Sequence, residues 1–202
     1  MIKTWGNILC AIDTETTGLE CDKQEIIEIS ILPLAPDLEP YKGVMPFNTY
    51  LVPELLENID PTAMKVNKVT VAQAINRGID QSIAADLFDT WFQKLPIDHS
   101  RNKRIIPLGH NYQFDMGFIK KWLGLTTYND CFHYHYRDSM NAANFLNDRA
   151  DFRVEERPFD KVSLQKIVTK MELPKRMAHT ALDDAINTTL IYKRMVEMFT
   201  HP

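Results

Sequence analysis

The chain has 202 residues, of which 45% are hydrophobic and 25% charged, and 23 basic against 27 acidic side chains give a formal net charge of −4. These proportions are typical of a globular protein and exclude a disordered polyelectrolyte. The acidic balance excludes a broadly basic nucleic-acid-binding protein, so an anionic substrate has to be held by a local site. The length predicts one domain that spans residues 1–202.

The cysteines and the hydropathy pattern indicate where the protein resides. Cys10, Cys21 and Cys131 form no CxxC pair and no even-numbered framework, which favours free thiols in a reducing compartment. No apolar stretch approaches the roughly 18 residues that cross a bilayer. Residues 1–7 lack the apolar core of a signal peptide. The sequence therefore predicts a soluble cytoplasmic protein with no membrane partner.

Three strands are predicted near the beginning of the chain. Residues 8–12 form a short apolar run that is typical of a buried central strand. Residues 25–34 predict a second strand, closed by prolines. Residues 44–52 predict a third, in which Pro46 indicates an edge position or a late start.

Helical patterns follow these strands. Asp60 and Pro61 resemble an N-cap and a first-turn proline, and so predict a short helix. Residues 82–95 predict an amphipathic helix. Its apolar positions are Ile83, Leu87, Trp91 and Leu95 at steps of four, with Phe88 and Phe92 beside them.

The second half of the chain alternates strands and helices, an order that suits an α/β or α+β sandwich around one sheet. A charged segment with Pro158, residues 147–161, is predicted to be an exposed loop or a small excursion of the chain. The remaining predictions are strands at 104–108 and 132–136 and helices at 114–122, 138–146, 163–171 and 180–199.

The first chemical motif, Asp-Thr-Glu-Thr-Thr-Gly at residues 13–18, directly follows the first strand. Side chains alternate along a strand, so Asp13 and Glu15 are expected on one face, about 6–7 Å apart. Two carboxylates placed in this way repel each other unless a cation lies between them, and oxygen ligands favour Mg²⁺ or Mn²⁺. By itself this motif is equally typical of solvated acidic residues at a strand end.

The second motif, Gly-His-Asn-Tyr-Gln-Phe-Asp at residues 109–115, ends a strand and begins a helix. Asp115 lies on the same stripe as Phe118 and Trp122, so we expect it to be partly buried against the sheet. The alternative is an ordinary helix-start carboxylate that the helix dipole favours. His110 is interpreted as a structural histidine.

The third motif, at residues 179–185, contains His179 and two adjacent aspartates at the start of the last helix. Asp184 shares a stripe with residues 188, 191 and 195, which predicts that it faces the protein body. Asp183 shares a polar stripe with Asn187 and Arg194, which predicts that it faces water and caps the helix.

The three motifs supply four inward-facing carboxylates and one histidine. Four carboxylates in one site cannot all stay ionised without cations. Two divalent ions would relieve the repulsion and align the oxygens of a phosphodiester for displacement, while the histidine takes a proton from water. The residues therefore predict metal-assisted hydrolysis of a phosphate ester, without choosing the polymer.

In order and spacing these motifs resemble those of the DEDDh 3′→5′ exonucleases, the DnaQ-like family that includes the epsilon proofreading subunit of DNA polymerase III, RNase T and oligoribonuclease. The histidine five residues before Asp184 marks the h-type subgroup. The resemblance implies an α/β, ribonuclease H-like fold, with a five-stranded mixed sheet flanked by helices on both faces and an antiparallel second strand.

The resemblance also implies roles for individual residues and two divalent metal ions, Mg²⁺ or Mn²⁺. Asp13 would bridge both metals, Glu15 and Asp184 would bind one, Asp115 would help to hold the other, and His179 would be the general base. The substrate-binding residues would be Thr16 and Thr17 through their amides, Leu19, Phe114 and Asn111.

The expected partner is a nucleic acid 3′ end, and the leading activity is 3′→5′ exonuclease action on single-stranded DNA or frayed DNA ends. The alternatives are an exoribonuclease of the oligoribonuclease or RNase T type and a catalytically silent nucleic-acid-binding module. The chain stops at Pro202, just after the last helix, so no polymerase-binding tail is evident. A homodimer stays open.

Overall fold

A five-stranded sheet lies at the centre of the computed structural model, which describes residues 1–66, 69–174 and 180–200. The order across the sheet is β3-β2-β1-β4-β5, with β2 antiparallel to both of its neighbours and β1, β4 and β5 parallel to one another. This confirms the predicted mixed sheet with an antiparallel second strand. The strands are β1 (Ile8–Thr16), β2 (Ile26–Leu34), β3 (Phe47–Tyr50), β4 (Ile105–Gly109) and β5 (Arg137–Asp138).

Helices cover both faces of this sheet, as predicted. They are α1 (Ala63–Val66), α2 (Val71–Arg77), α3 (Gln81–Phe92), α4 (Tyr112–Leu123), α5 (Leu125–Cys131), α6 (Ser139–Phe152), α7 (Leu164–Lys170) and α8 (Ala181–Thr200). No helix in the described ranges is long and apolar enough to cross a membrane.

Alternation along β1 divides the core into two layers. Ile8, Cys10 and Ile12 belong to a cluster that includes buried residues of α3, α4 and α5. Leu9 and Ala11 point the other way and share a cluster with α8. On that side α6 and α7 pack against the outer part of α8. The central strand is therefore buried on both faces, which is why its sequence is a continuous apolar run.

Polar side chains define where several helices begin. The Thr70 hydroxyl accepts the Gln73 N–H and the Gln73 side chain accepts the Thr70 N–H, which is a complete capping box for α2. Asp138 accepts the N–H groups of Met140 and Asn141 at the start of α6. Neither α2 nor α5 was expected from the sequence patterns.

The predicted amphipathic helix is α3, and its apolar positions differ in burial. Ile83 and Leu87 are 54% and 48% exposed, whereas Phe88 and Phe92 are buried. Phe88 packs between rings from other elements, including Phe47 of β3 and Phe132 at centroid distances of 5.7 Å. The apolar positions form one wide stripe, and its aromatic part, which gains more from burial, faces inward.

Two predictions in the second half of the chain need correction. Residues 132–136 are not a strand, because Phe132 makes only an isolated bridge to Ile105 and β5 starts at Arg137. The segment 147–161 is not a continuous exposed loop, because α6 extends to Phe152 and Phe159 is buried. Asn147 anchors this segment by exchanging two hydrogen bonds with the Phe159 backbone.

The third strand agrees with both expectations drawn from Pro46, since β3 is an edge strand and begins only at Phe47. The inward stripe predicted for α8 is also confirmed, because Asp184, Thr188, Ile191 and Met195 are all buried. Its predicted polar stripe is partly wrong, because Asn187 is only 2% exposed.

Candidate active site

The carboxyl-terminal end of β1 carries two carboxylates on one face of the sheet. Leu9 and Ala11 share a cluster with Ala185 of α8, so strict alternation directs Asp13 and Glu15 toward α8 as well. Glu15 is buried and Asp13 is half-buried. The strand thus presents both carboxylates to the helix that carries the third motif.

Asp184 reaches the same place from the first turn of α8. Its Oδ1 accepts hydrogen bonds from the side-chain amides of Gln165 at 3.1 Å and Asn187 at 3.3 Å. Carboxylate oxygens of Asp13, Glu15 and Asp184 lie within 4.8 Å of one another. Three of the four predicted carboxylates are therefore close enough to share one cation.

Asp115 lies beside this group and is held by β1 itself. The pairing between β1 and β4 ends at Ala11 and Leu108, which leaves the later residues of β1 without a strand partner on that side. Asp115 fills the gap, because its Oδ1 accepts the Thr14 N–H at 3.0 Å and the Thr14 hydroxyl at 2.7 Å. The first turn of α4 is thereby fixed to the end of the central strand.

The electrostatics of the carboxylates show how unfavourable their grouping is without cations. Burial raises the pKa of Asp13 well above its usual range, and the charges of Asp115, Asp184 and Glu15 raise it further. Burial, with the charges of Asp184 and Glu28, raises the pKa of Glu15 to about 8. Burial raises the pKa of Asp115 to about 7, although the hydrogen bonds from Thr14 oppose this.

Glu28 is a further buried carboxylate near this group, and none of the three sequence motifs contains it. It lies on β2 directly across from Glu15, is 2% exposed, and accepts the Ala181 N–H at the start of α8 at 3.1 Å. Burial raises its pKa, and the hydrogen bond from Ala181 opposes that rise. A lone charged residue inside a mainly apolar strand was the available signal, since buried carboxylates require partners.

The threonines of the first motif are buried and form internal hydrogen bonds. The Thr16 hydroxyl donates to the Gly18 carbonyl at 2.6 Å. The Thr17 N–H donates to the Glu25 carbonyl at 2.8 Å, and the Thr17 hydroxyl accepts the Glu25 N–H at 3.0 Å. The Thr17 N–H is thus already bonded within the protein. It is therefore not free to donate to a substrate, as the predicted contact would require.

The other predicted substrate-binding residues differ in exposure. Leu19 is 74% exposed, and Asn111 is exposed in the left-handed conformation (φ 66°) that asparagine tolerates. Phe114 is half-buried and packs on Phe118 at a centroid distance of 5.0 Å. Leu19 and Asn111 are therefore accessible, whereas Phe114 is accessible only in part.

The sequence singles out two histidines, and the structure describes one of them. His110 Nδ1 lies 2.9 Å from Ser139 Oγ, and burial lowers its pKa, as expected of a structural histidine. His179, the predicted general base, lies outside the described residues, which resume at Thr180.

Comparisons with known proteins place this chain among nucleases. A family model named for RNase T and described as exonuclease matches residues 10–192. The chain is 22% identical over 203 residues to ribonuclease T of Actinobacillus pleuropneumoniae, covering 95% of this chain and 84% of that protein. It is 29% identical over 189 residues to the PolC-type DNA polymerase III of Caldanaerobacter subterraneus subsp. tengcongensis, covering 92% of this chain and 11% of that protein.

Solved structures show the same fold. The structure of E. coli exonuclease I in complex with a dT13 oligonucleotide is similar with a TM-score of 0.73 and 17% sequence identity, over 96% of this chain and 43% of that chain. The chain thus spans less than half of that enzyme and about a ninth of the polymerase.

Proposed function

This chain belongs to the RNase T exonuclease family, and we propose that it is a two-metal 3′→5′ exonuclease that releases nucleoside 5′-monophosphates from single-stranded DNA or frayed DNA ends. The observation that carries the proposal is the group formed by Asp13, Glu15 and Asp184, whose oxygens lie within 4.8 Å of one another at the end of the central strand. A buried group of like charges is costly, and it is typical of a site that binds cations.

The donor set fits divalent metal ions. It consists of carboxylate oxygens, which hard cations such as Mg²⁺ and Mn²⁺ prefer. Within the described ranges, no lysine or arginine forms an ion pair with Asp13 or Glu15. Asp13 would contact both ions, Glu15 and Asp184 one of them, and Asp115 the other.

The chain's own residues would perform the remaining tasks of the reaction. Bound cations supply Lewis acidity and lower the pKa of water. His179 takes the proton of the attacking water, and Asp115, fixed by Thr14, keeps the first turn of α4 against β1. Thr16, Leu19, Asn111 and Phe114 orient the terminal nucleotide.

An exoribonuclease is the second candidate, and one observation favours it. Ribonuclease T is matched over 84% of its length, whereas exonuclease I, crystallised with a DNA oligonucleotide, is matched over 43%. Discrimination of RNA from DNA depends on a few contacts to the 2′-hydroxyl, so the same acidic group serves either polymer.

The decisive experiment compares 3′- and 5′-labelled substrates: single-stranded DNA, duplex DNA, long RNA and short oligoribonucleotides, each with Mg²⁺ or Mn²⁺. We expect release of mononucleotides from the 3′ label and a descending ladder from the 5′ label. The preferred polymer appears as the larger kcat/KM. Mononucleotide release from the 5′ end first would contradict the polarity, and binding without hydrolysis would favour the silent module.

Variants of the acidic group and the histidine test the mechanism. Asp13→Ala and Glu15→Ala should abolish hydrolysis while the circular dichroism spectrum stays that of the wild type. His179→Ala should lower kcat by about 10²–10⁴-fold with little change in KM, as expected of a general base. Full activity of Asp13→Ala, or an effect of His179→Ala on KM alone, would refute the assigned roles.

A further inference from the structure

A second surface feature lies beside β4 and the segment that leads into β5, outside the acidic group. It is a groove of about 580 Å³ that runs from residues preceding β1 to the first residue of β5. Most of its lining is aromatic or cationic. The lining residues are Trp5, Asn7, Ile106, His133, Tyr134, His135, Tyr136 and Arg137.

The groove exists because the segment before β5 contains more residues than the stretch of β4 that lies beside it. Phe132 bridges to Ile105 and Arg137 pairs with Leu108. Four residues, 133–136, therefore span a distance for which β4 uses two, and the excess bulges outward. The bulge leaves the ring of Tyr134 75% exposed, and Trp5 across the groove is also 75% exposed.

The bulge presents ring faces and not only ring edges. His133 and Tyr134 are stacked with centroids 4.7 Å apart and an interplanar angle of 19°. The rings of Tyr134 and His135 are also in contact, with their centroids 4.1 Å apart. The neighbouring rings therefore hold Tyr134 in place and leave a large part of it open to solvent. Unstacked bases of single-stranded nucleic acids stack on exposed aromatic rings of this kind.

The charge of the groove is opposite to that of the molecule. None of the described residues that line it is acidic, and Arg137 contributes a formal positive charge, whereas the chain carries −4. Burial lowers the pKa of His133, and the charges of His135, Arg104 and Arg137 lower it further, so both guanidinium groups lie near the bulge. The groove is thus suited to a phosphate backbone.

The groove is also continuous with the element that carries Asp115. Arg137 is followed by Asp138, whose carboxylate accepts the Tyr112 N–H at 2.7 Å at the start of α4. The ring of Tyr136 packs against that of Tyr112 at 5.3 Å. One end of the groove therefore adjoins the first turn of α4, which carries Asp115.

We propose that this groove binds the single-stranded nucleic acid upstream of the reacting 3′ end, with bases stacked on Tyr134 and Trp5 and the backbone near Arg137. The inference rests on the proposed function, because it assumes that a 3′ end occupies the acidic group. It predicts that the bulge at residues 133–136 makes substrates longer than a dinucleotide the better ones.

The test compares kcat/KM for an eight-nucleotide and a two-nucleotide substrate in the wild type and in single variants. The octamer-to-dimer ratio should fall about tenfold in Tyr134→Ala and in Trp5→Ala, since stacking on one ring is lost. Tyr134→Phe should keep the wild-type ratio, because the ring face is retained. Phe152→Ala is the matched control, since that ring is 92% exposed at the end of α6 and does not line the groove.

Oligothymidylate and oligouridylate arms identify the polymer that the groove accepts. An unchanged ratio in Tyr134→Ala and Trp5→Ala with both polymers, or an equal fall in Phe152→Ala, would overturn the proposal. If the wild type hydrolyses neither polymer, the proposed function fails while the groove is still tested by fluorescence anisotropy of a 5′-labelled octamer. A tenfold weaker affinity in Tyr134→Ala then supports the groove, and an unchanged affinity refutes it.

Discussion

Two adjacent aspartates at the start of α8 have different surroundings. Asp184 is buried next to Asp13 and Glu15, whereas Asp183 is half-buried and exchanges hydrogen bonds with Thr180, the residue that precedes the helix. Helical periodicity predicted which of them faces inward, and that part of the prediction is confirmed.

The pair offers a matched test of the proposed metal ligands. Asp184→Asn should lower kcat/KM by more than about 100-fold, because groups that only support metal ligands already cost 10–100-fold when they are removed. Asp183→Asn should lower it by less than about threefold, since the hydroxyl of Thr180 can still accept from the residue 183 N–H. Steady-state kinetics with Mn²⁺ checks both, and the reverse ranking would refute the assignment.

At the scale of elements, Glu28 couples β2 to α8. Its carboxylate accepts the Ala181 N–H, one of the donors that a helix start leaves without a partner inside the helix. The contact joins residues 153 positions apart in the chain. It sets the start of α8, and therefore the position of Asp184, against Glu15 on the neighbouring strand.

The role of Glu28 as a positioning residue can be separated from its charge. Glu28→Gln keeps an oxygen that accepts from Ala181 and should retain activity within about threefold. Glu28→Ala leaves a buried donor unpaired, and should lower the free energy of unfolding by about 1–3 kcal/mol and kcat by more than tenfold. Denaturant titration and kinetics measure the two effects. Equal losses of kcat in both variants would show that the charge matters instead.

The orientation of α3 is a second property of an element, and it has a direct test. Phe88 is fully buried among aromatic rings, so Phe88→Ala should lower the free energy of unfolding by about 3–5 kcal/mol. Ile83→Ala, at the exposed margin of the same apolar stripe, should cost less than about 1 kcal/mol because Ile83 is half exposed. Urea titration distinguishes the two positions, and similar losses would contradict the orientation.

At the scale of the whole molecule, the grouping of carboxylates links folding to pH. The pKa of Glu15 is raised from its ordinary 4.5 to about 8, and that of Asp115 from 3.8 to about 7. At pH values between the ordinary and the raised pKa of these groups, the folded protein binds more protons than the unfolded chain. The free energy of unfolding of the metal-free protein therefore falls as pH rises through this window.

Thermal unfolding in a chelator should show this dependence. We expect Tm to drop between about pH 5 and pH 8, by about 4–8 °C for a loss of about 2 kcal/mol in a chain of this size. Mg²⁺ or Mn²⁺ should restore Tm more at pH 8 than at pH 5, because binding requires deprotonated ligands.

Glu15→Gln serves as the control, since it removes one titrating group and should flatten the profile. A metal-free Tm that stays constant or rises over this range in the wild type would contradict the linkage.

Local sequence was sufficient wherever a pattern reflects the residue's own element. The apolar runs of β1, β2 and β4 predicted buried strands, and strand alternation predicted that Asp13 and Glu15 share a face. The stripe of Asp184, Thr188, Ile191 and Met195 predicted the inner side of α8. Each of these depends only on the period of a strand or helix.

Only the tertiary structure decided how the elements meet. It selected Phe88 over Ile83 as the inner side of α3, paired Glu28 with the start of α8, and turned residues 133–136 into an exposed bulge. These outcomes depend on register and packing between segments far apart in the chain, which no local period encodes. The sequence by itself determined which carboxylates we propose as metal ligands, and the packing of α8 and α4 against β1 determined that they lie together.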